Sequence, residues 1–279
     1  MDKNSYQLVE PNVALRPFIR RFMVADSDQC LNETVYPKPT GYNYLHWIIR
    51  GEWRGIIDDE ARNFADKLFI TGQIKDADIS VTHYGRFQHI VAEFTALGFY
   101  QMTGLYADQF INKAVEIHGI DMRLQESLSE VVSVSTQDKI SDYIRILEDK
   151  IISCDEPLNP VPDYLRKGVE LIENKDGLIK IKSVYDQLDI SKGHFIRIFK
   201  KIIGMTPKYF ARVLQMNRVV QAMVEQDNKY FADMAAEYGY YDESHLQRAI
   251  QEFFKHSPGR FLDSQQETLF AFLGQSRKI

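Results

Sequence analysis

The reading turns on Ser191-Lys192-Gly193-His194-Phe195-Ile196-Arg197-Ile198-Phe199-Lys200-Lys201-Ile202, with Thr206-Pro207 and Phe210 just beyond it. The pattern returns at an offset of 51 residues as His245-Leu246-Gln247-Arg248-Ala249-Ile250, followed by Phe253, Ser257-Pro258 and Phe261. At about 100° per residue, Phe195, Phe199 and Ile202 fall on one helical stripe. Leu246, Ile250 and Phe253 form the matching stripe of the second copy. The opposite face presents Gly193, Ile196, Arg197 and Lys200 in the first helix, and Ser244, Gln247, Arg248 and Gln251 in the second. A short helix is predicted ahead of each, over 181–188 with Asp189-Ile190 as the turn, and over 231–238 with Gly239 as its stop. Ser191 and Asp242 suit the N-caps; glycine suits the left-handed end of a helix. Short helix, tight turn and a second helix with a polar outer face is the helix-turn-helix plan. One amphipathic helix would more readily be part of a plain α-helical bundle. Two copies sharing His-x-x-Arg, the apolar stripe and a Ser/Thr-Pro exit argue against that bland reading.

Working outward, Cys154-Asp155-Glu156-Pro157-Leu158-Asn159-Pro160-Val161-Pro162 cannot continue a helix and is read as a linker, 154–162. It divides the 279 residues into a first domain, 1–153, and a helical second domain, 163–264. Over 6–110 the pattern is strand-like. Leu45, Trp47 and Ile49 share a face at period two, further strands are expected over 67–74 and 88–94, and turn residues separate them. A small β-barrel or sandwich is expected there. Over 121–153 the spacing is helical, through Leu124, Leu128, Val131 and Val132, then Ile140, Tyr143, Ile144 and Leu147. The expected class is therefore α+β, a β-rich sensor domain with helices followed by an all-α double helix-turn-helix.

Charge is unevenly spread. The net formal charge is −5, yet residues 160–263 hold 16 Lys and Arg against 14 Asp and Glu. The acidic surplus thus lies in the first domain, which fits two domains with different partners. Two distant cysteines, Cys30 and Cys154, suggest free thiols in a reducing cytoplasm. No run is apolar enough for a membrane span, and Met1-Asp2-Lys3-Asn4-Ser5-Tyr6 lacks a signal core.

These residues resemble the AraC family of bacterial regulators. The likeness is carried by Ser191, Arg197-Ile198-Phe199-Lys200, Gly204-Met205-Thr206-Pro207 and Arg218, then by Ala235-Ala236-Glu237-Tyr238-Gly239-Tyr240, Asp242-Glu243-Ser244, Arg248 and Ser257-Pro258. The sequence departs from the family at Tyr185, where a small residue is usual, and at Ile250, Gln251 and Lys255. The Leu15-Arg16-Pro17-Phe18-Ile19-Arg20-Arg21-Phe22 opening resembles the β-barrel sensor that often precedes such units. The resemblance implies two recognition helices entering successive major grooves of promoter DNA, roughly 34 Å apart. It also implies a small effector, or dimerisation, in the first domain. RNA polymerase and a second copy of the chain are further partners this reading allows.

By outer-face position, Arg197 and Arg248 are the expected base readers, with Gln247 and Ser244 adding contacts. Lys192, Lys200 and Lys201 are assigned to phosphates. Gly193 and Ile196 face the same way but have no side-chain hydrogen bonds to offer. Glu243 has the wrong sign for phosphate and would accept from cytosine N4. His194 and His245 sit sideways, for packing or a phosphate. In the first domain, Arg16/Arg20 and Arg50/Arg54 leave two readings open: an anionic or nucleotide effector held by paired guanidiniums, or plain pairing with the domain's own carboxylates, which general grounds favour. Tyr42, Tyr44 and Trp47 are likewise pocket or core, with core favoured.

Two other classes compete with this reading. A barrel enzyme would need gathered metal ligands, and His46, His83 and His89 form no cluster by spacing. No catalytic residue, metal or cofactor is expected. An interaction protein with weakened DNA binding draws support from Gly193, Ile196, Glu243 and Gln251.

Overall fold

The computed structural model describes residues 5–58, 60–63, 67–118, 120, 122–132, 139–225 and 231–254. The first domain runs β1 (Ser5–Val9), β2 (Ile19–Val35), β3 (Tyr44–Ile57), β4 (Glu60–Asn63), β5 (Leu68–Thr71), β6 (Ile79–Phe94), α1 (Gly98–Thr103), β7 (Ala114–Glu116), α2 (Gln125–Val132) and α3 (Ile140–Ile152). The second runs α4 (Asp163–Glu173), α5 (Ile181–Tyr185), α6 (Lys192–Ile203), α7 (Pro207–Glu225), α8 (Phe231–Glu237) and α9 (Glu243–Phe254).

The strands form one antiparallel sheet in the order β1-β2-β6-β3-β5-β7, with β4 paired to β3. The expected barrel or sandwich is corrected by this order: the sheet is open. Closing a barrel needs edge strands that run side by side with a fixed stagger. The edges here are strands of five and three residues at opposite ends of the path. The sheet instead curves through the long strands β2, β3 and β6. Register shifts at Ser27/Cys30 and between Ile48 and Glu52 mark where they bend. The strand expected over 88–94 is the second half of β6.

Alternation along the strands separates two faces. Leu45 and Trp47 of β3, with Ile90, Ala92 and Phe94 of β6, face a core closed by α2 and α3. Trp47 meets Tyr143 of α3 edge to face, centroids 5.3 Å apart. The alternate residues Tyr44, His46 and Ile48, with His89 and Val91, look the other way. That face meets the second domain near Tyr42 and Tyr44 and encloses a cavity further along.

In the second domain the predicted stripes are the buried ones. Phe195, Phe199 and Ile202 of α6 and Leu246 and Ile250 of α9 are buried, and Phe253 is half-buried. Both N-caps form: Ser191 Oγ accepts from the His194 N–H at 3.3 Å, and Asp242 Oδ1 from the His245 N–H at 2.7 Å. Gly239 stands at φ +74°, in the left-handed region. Tyr185, the bulky departure, packs edge-on against Phe195 at 5.9 Å. Lys255, Ser257, Pro258 and Phe261 lie outside the described residues, as do 133–138 of the expected helical stretch. Cys30 and Cys154 are both free.

Candidate nucleic-acid interface and ligand cavity

Capped at its start and ended by Gly204 at φ +93°, α6 turns Gly193, Arg197 and Lys200 to solvent, with Ile196 half-buried beside them. On α9, Glu243, Ser244, Gln247, Arg248 and Gln251 are exposed. The helices are joined by α7, whose 19 residues span roughly 28 Å at 1.5 Å per residue.

The exposed side chains are partly organised already. Arg197 Nη2 lies 3.4 Å from His194 Nδ1, and His194 Nε2 lies 3.1 Å from the Tyr164 hydroxyl. Arg248 Nε donates to its own helix at Ser244 O, 3.2 Å, and Gln247 donates to Glu243 Oε1 at 2.8 Å. Arg248 also borders a cleft of about 600 Å³ shared with Lys208 and Arg212 of α7. The sequence reading missed those two cations because they lie outside the repeated helices. Tyr241, in the turn before α9, was missed too, and is 92 % exposed.

The phosphate candidates are not equivalent. Lys200 is exposed, and the Lys192 ammonium lies 5.3 Å from the Tyr185 ring centre. Lys201 turns toward the first domain, its ammonium 3.7 Å from the ring centre of Tyr106, which stacks on Tyr100. Gln73 Nε2 donates to Ile203 O at 3.4 Å at the same junction. The first domain thus holds the C-terminal end of the first outward helix. Tyr106→Ala is expected to release Lys201 and tighten non-specific DNA binding at low salt about 2- to 5-fold, the worth of one cation–π contact. Fluorescence anisotropy on a random duplex measures it; unchanged affinity would show that Lys201 reaches no phosphate.

Arg16, Arg20, Arg50 and Arg54 do not converge on one site. Arg16 donates to Pro11 O at 3.4 Å, Arg50 lies 3.9 Å from Asp26, and Arg54 pairs with Glu52 at 2.9 Å. Arg20 pairs with Glu93, which is fully buried and also accepts from Arg21 at 3.1 Å and the Tyr44 hydroxyl at 3.2 Å. Arg20 covers the Tyr42 ring at 3.9 Å, and the Tyr42 hydroxyl reaches Glu173 of α4 at 3.3 Å. This network belongs to the contact between the domains. None of the four lines the apolar cavity.

That cavity lies against the face of β3 and β6 bearing Tyr44, His46 and His89, and holds about 110 Å³. Met23, Val35, Ile57, Val81 and Val91 supply apolar wall, and Tyr42 and Tyr44 line it as well. Trp47 stays in the opposite core. Spacing along the chain does not bring His46, His83 and His89 together; antiparallel pairing of β3 with β6 does. His46 Nδ1 and His89 Nε2 are 3.2 Å apart, His46 Nε2 is 2.8 Å from Thr71 Oγ1, and the His83 and His89 ring centres are 6.4 Å apart. Among the described residues, no three such side chains are arranged to hold a metal ion.

Burial is the main cause that lowers all three imidazoles, His46 to about 3 and His83 to about 4, with His89 also well below its usual range. The unfolded chain takes up protons near pH 6.5 that the folded chain refuses. The stability these histidines contribute is therefore full above pH 6.5 and lost as pH falls toward 4. The slope is about 1.4 kcal/mol per pH unit for each histidine once pH is well below 6.5. Thermal melts between pH 7.5 and 5 should show the decline, and His46→Gln with His89→Gln should flatten it. A flat wild-type profile would mean the rings protonate in place.

One loop joins cavity to helix. Pro37, Lys38 and Thr40 line the cavity, while Thr40 O accepts from Asn217 of α7 at 2.9 Å. Gly41 packs on Phe210, and Tyr42 meets that ring edge-on with centroids 6.4 Å apart.

Two capped helix-turn-helix units on one connecting helix, polar faces outward, define a DNA-binding transcription regulator. Residues 185–264 match the family described as "Helix-turn-helix domain". The chain is 26 % identical over 106 residues to "Probable transcription factor PqrA" of Proteus vulgaris, covering 38 % of this chain and 85 % of that protein. It is similar to the solved structure of ToxT from Vibrio cholerae, with TM-score 0.48 and 11 % identity over 88 % of this chain and 99 % of that one. The unsaturated fatty acid bound form of wild-type ToxT gives TM-score 0.47 and 11 % identity, covering 95 % and 98 %.

Proposed function

We propose that this regulator recognises promoter DNA sequence-specifically through α6 and α9, and that a small ligand in the first domain modulates that binding. The observation that carries the DNA reading is the pair of capped helices with outward Arg197 and Arg248, in two units linked through α7. Arg197 and Arg248 read guanine edges, Ser244, Gln247 and Glu243 add to the second half-site, and Ser191, Lys192, Lys200 and, once released, Lys201 position the backbone. Gly193 and Ile196 allow close approach without hydrogen-bonded readout. The loop from Pro37 to Gly41 carries cavity occupancy to α7, because it forms part of both. A bound state that shifts Thr40 changes the seat of Asn217, and so biases the two units between arrangements. The protein works in the cytoplasm, where its promoter, RNA polymerase and a second copy are the partners to look for.

The test is a salt series of binding to the DNA upstream of its own or a neighbouring gene. Specific binding that weakens steeply and linearly in log salt is expected. A second reading, an interaction protein with little base recognition, draws on the Gln247–Glu243 hydrogen bond and the bare Gly193 surface. Equal affinity for promoter and random duplex would favour it.

A further inference from the structure

The two helix-turn-helix units leave a cleft between them. Its walls come from both: Gly177 and Ile181 of the first unit, Lys208 and Arg212 of α7, and Arg248 and Glu252 of α9. The backbone fixes its floor. Gly177 stands at φ +77°, and a Cβ there would come within 1.9 Å of Ala211 O, so the loop before α5 is pressed against α7. On the other side, Gln215 Nε2 of α7 donates to Tyr238 O at 2.6 Å, which ties the end of α8 to the same helix.

Positive charge gathers on these walls. Lys208, Arg212 and Arg248 face one carboxylate, Glu252. Residues 160–263 hold 16 Lys and Arg against 14 Asp and Glu, so the surplus in this cleft alone equals that of the whole stretch. Lys208 is exposed and, among the described residues, pairs with no carboxylate. Arg212 is exposed too, with its Nη2 3.1 Å from Glu252 Oε2. An ion pair open to water on both sides holds weakly, so another anion can take the place of the carboxylate.

Position identifies the anion. Ile181 opens α5, the first helix of its unit. In a helix-turn-helix the first helix crosses the phosphate backbone while the second enters the groove. Arg248 stands both on the exposed face of α9 and on the cleft wall, so the cleft opens on the side that α9 turns outward. A DNA strand running from the groove read by α6 to the groove read by α9 passes over it.

We propose that the cleft seats the sugar-phosphate backbone between the two half-sites, with Lys208 and Arg212 each neutralising one phosphate and Glu252 giving up Arg212 as the DNA arrives. These two contacts read no base, and they presuppose that α6 and α9 meet DNA as set out above.

Fluorescence anisotropy of the full chain, on DNA upstream of its own gene and on a random duplex across a salt series, tests this. Lys208→Ala and Arg212→Ala are each expected to lower the slope of log affinity against log salt by about 0.9, equally on both duplexes. Lys208→Arg and Arg212→Lys keep the charge and should keep the slope. Glu252→Gln should tighten binding to both duplexes about 1.5- to 5-fold at low salt, the worth of one exposed ion pair. Arg145→Ala, on the exposed face of α3, is the control for bulk charge and should leave the slope unchanged. An unchanged slope in either alanine variant, a change on the upstream DNA alone, an equal change in Arg145→Ala, or no tightening in Glu252→Gln overturns the proposal. The two claims fail separately. If the wild-type chain prefers the upstream DNA and the cleft variants keep its slope, only the cleft assignment falls. If the cleft variants lose slope on both duplexes while the wild type prefers neither, only sequence-specific recognition falls.

Discussion

The double substitution Arg197→Ala, Arg248→Ala is expected to abolish the difference between promoter and random DNA while leaving the fold intact. Both side chains are exposed and hydrogen-bond within their own helices, Arg197 to His194 and Arg248 to Ser244 O, so truncation removes little from the core. Each guanidinium that meets a guanine bidentately is worth about 1–3 kcal/mol of discrimination. Because the two sit on separate units, their effects should add. The sum is about 2–6 kcal/mol, roughly 30-fold to 10⁴-fold in specific affinity. Non-specific binding should fall far less, since phosphate contacts carry it. The single substitutions should differ. Around Arg248 stand Ser244 and Gln247, which keep some hydrogen-bonded readout; around Arg197 stand Gly193 and Ile196, which keep none. Arg197→Ala should therefore blank its half-site, whereas Arg248→Ala should relax its own. Promoter titration at fixed salt, beside a scrambled duplex, measures both. Retained discrimination in the double variant would remove the basis for assigning α6 and α9 to the grooves.

Glu93→Ala is expected to cause the largest loss of stability among changes at the domain contact. The carboxylate is fully buried and accepts from Arg20, Arg21 and the Tyr44 hydroxyl. Breaking a buried pair costs about 3–5 kcal/mol, because the surviving charge stays desolvated. Arg20, with its side chain 38 % exposed, can turn to water, but Arg21, 15 % exposed, has less freedom. The cost should therefore lie near about 3 kcal/mol, lowering the melting temperature by roughly 6–12 °C. The natural control is Arg54→Ala. That ion pair with Glu52 is exposed on both sides and should be worth less than about 1 kcal/mol. Thermal unfolding of both variants decides. Equal shifts would mean that Glu93 and its arginines are hydrated and contribute no more than a surface pair.

The second domain could be read from the chain because its information is local. Helical stripes, caps and terminating glycines act over three or four residues, and the repeat shows the same device twice. Phe195, Phe199, Leu246 and Ile250 are buried as their spacing requires, and Ser191 and Asp242 cap as their chemistry requires. The first domain was read less well for the opposite reason. Leu45 and Trp47 alternate cleanly, yet β2 carries Asp26-Ser27-Asp28-Gln29 through its middle and gives no periodic signal. Whether a sheet closes is set by which edges meet, which no single strand records.

The double helix-turn-helix was settled by residue order alone, since short-range periodicity and capping suffice to specify it. Three things needed the folded chain. His46 meets His89 because β3 lies against β6. Arg20 belongs to Glu93 and the domain contact because β2 also lies against β6. Lys201 turns from the outer face to Tyr106 because the first domain packs there. Each is a pairing of residues distant in sequence, and such pairings are chosen by the packing of whole faces against one another rather than by any local preference of the residues that meet.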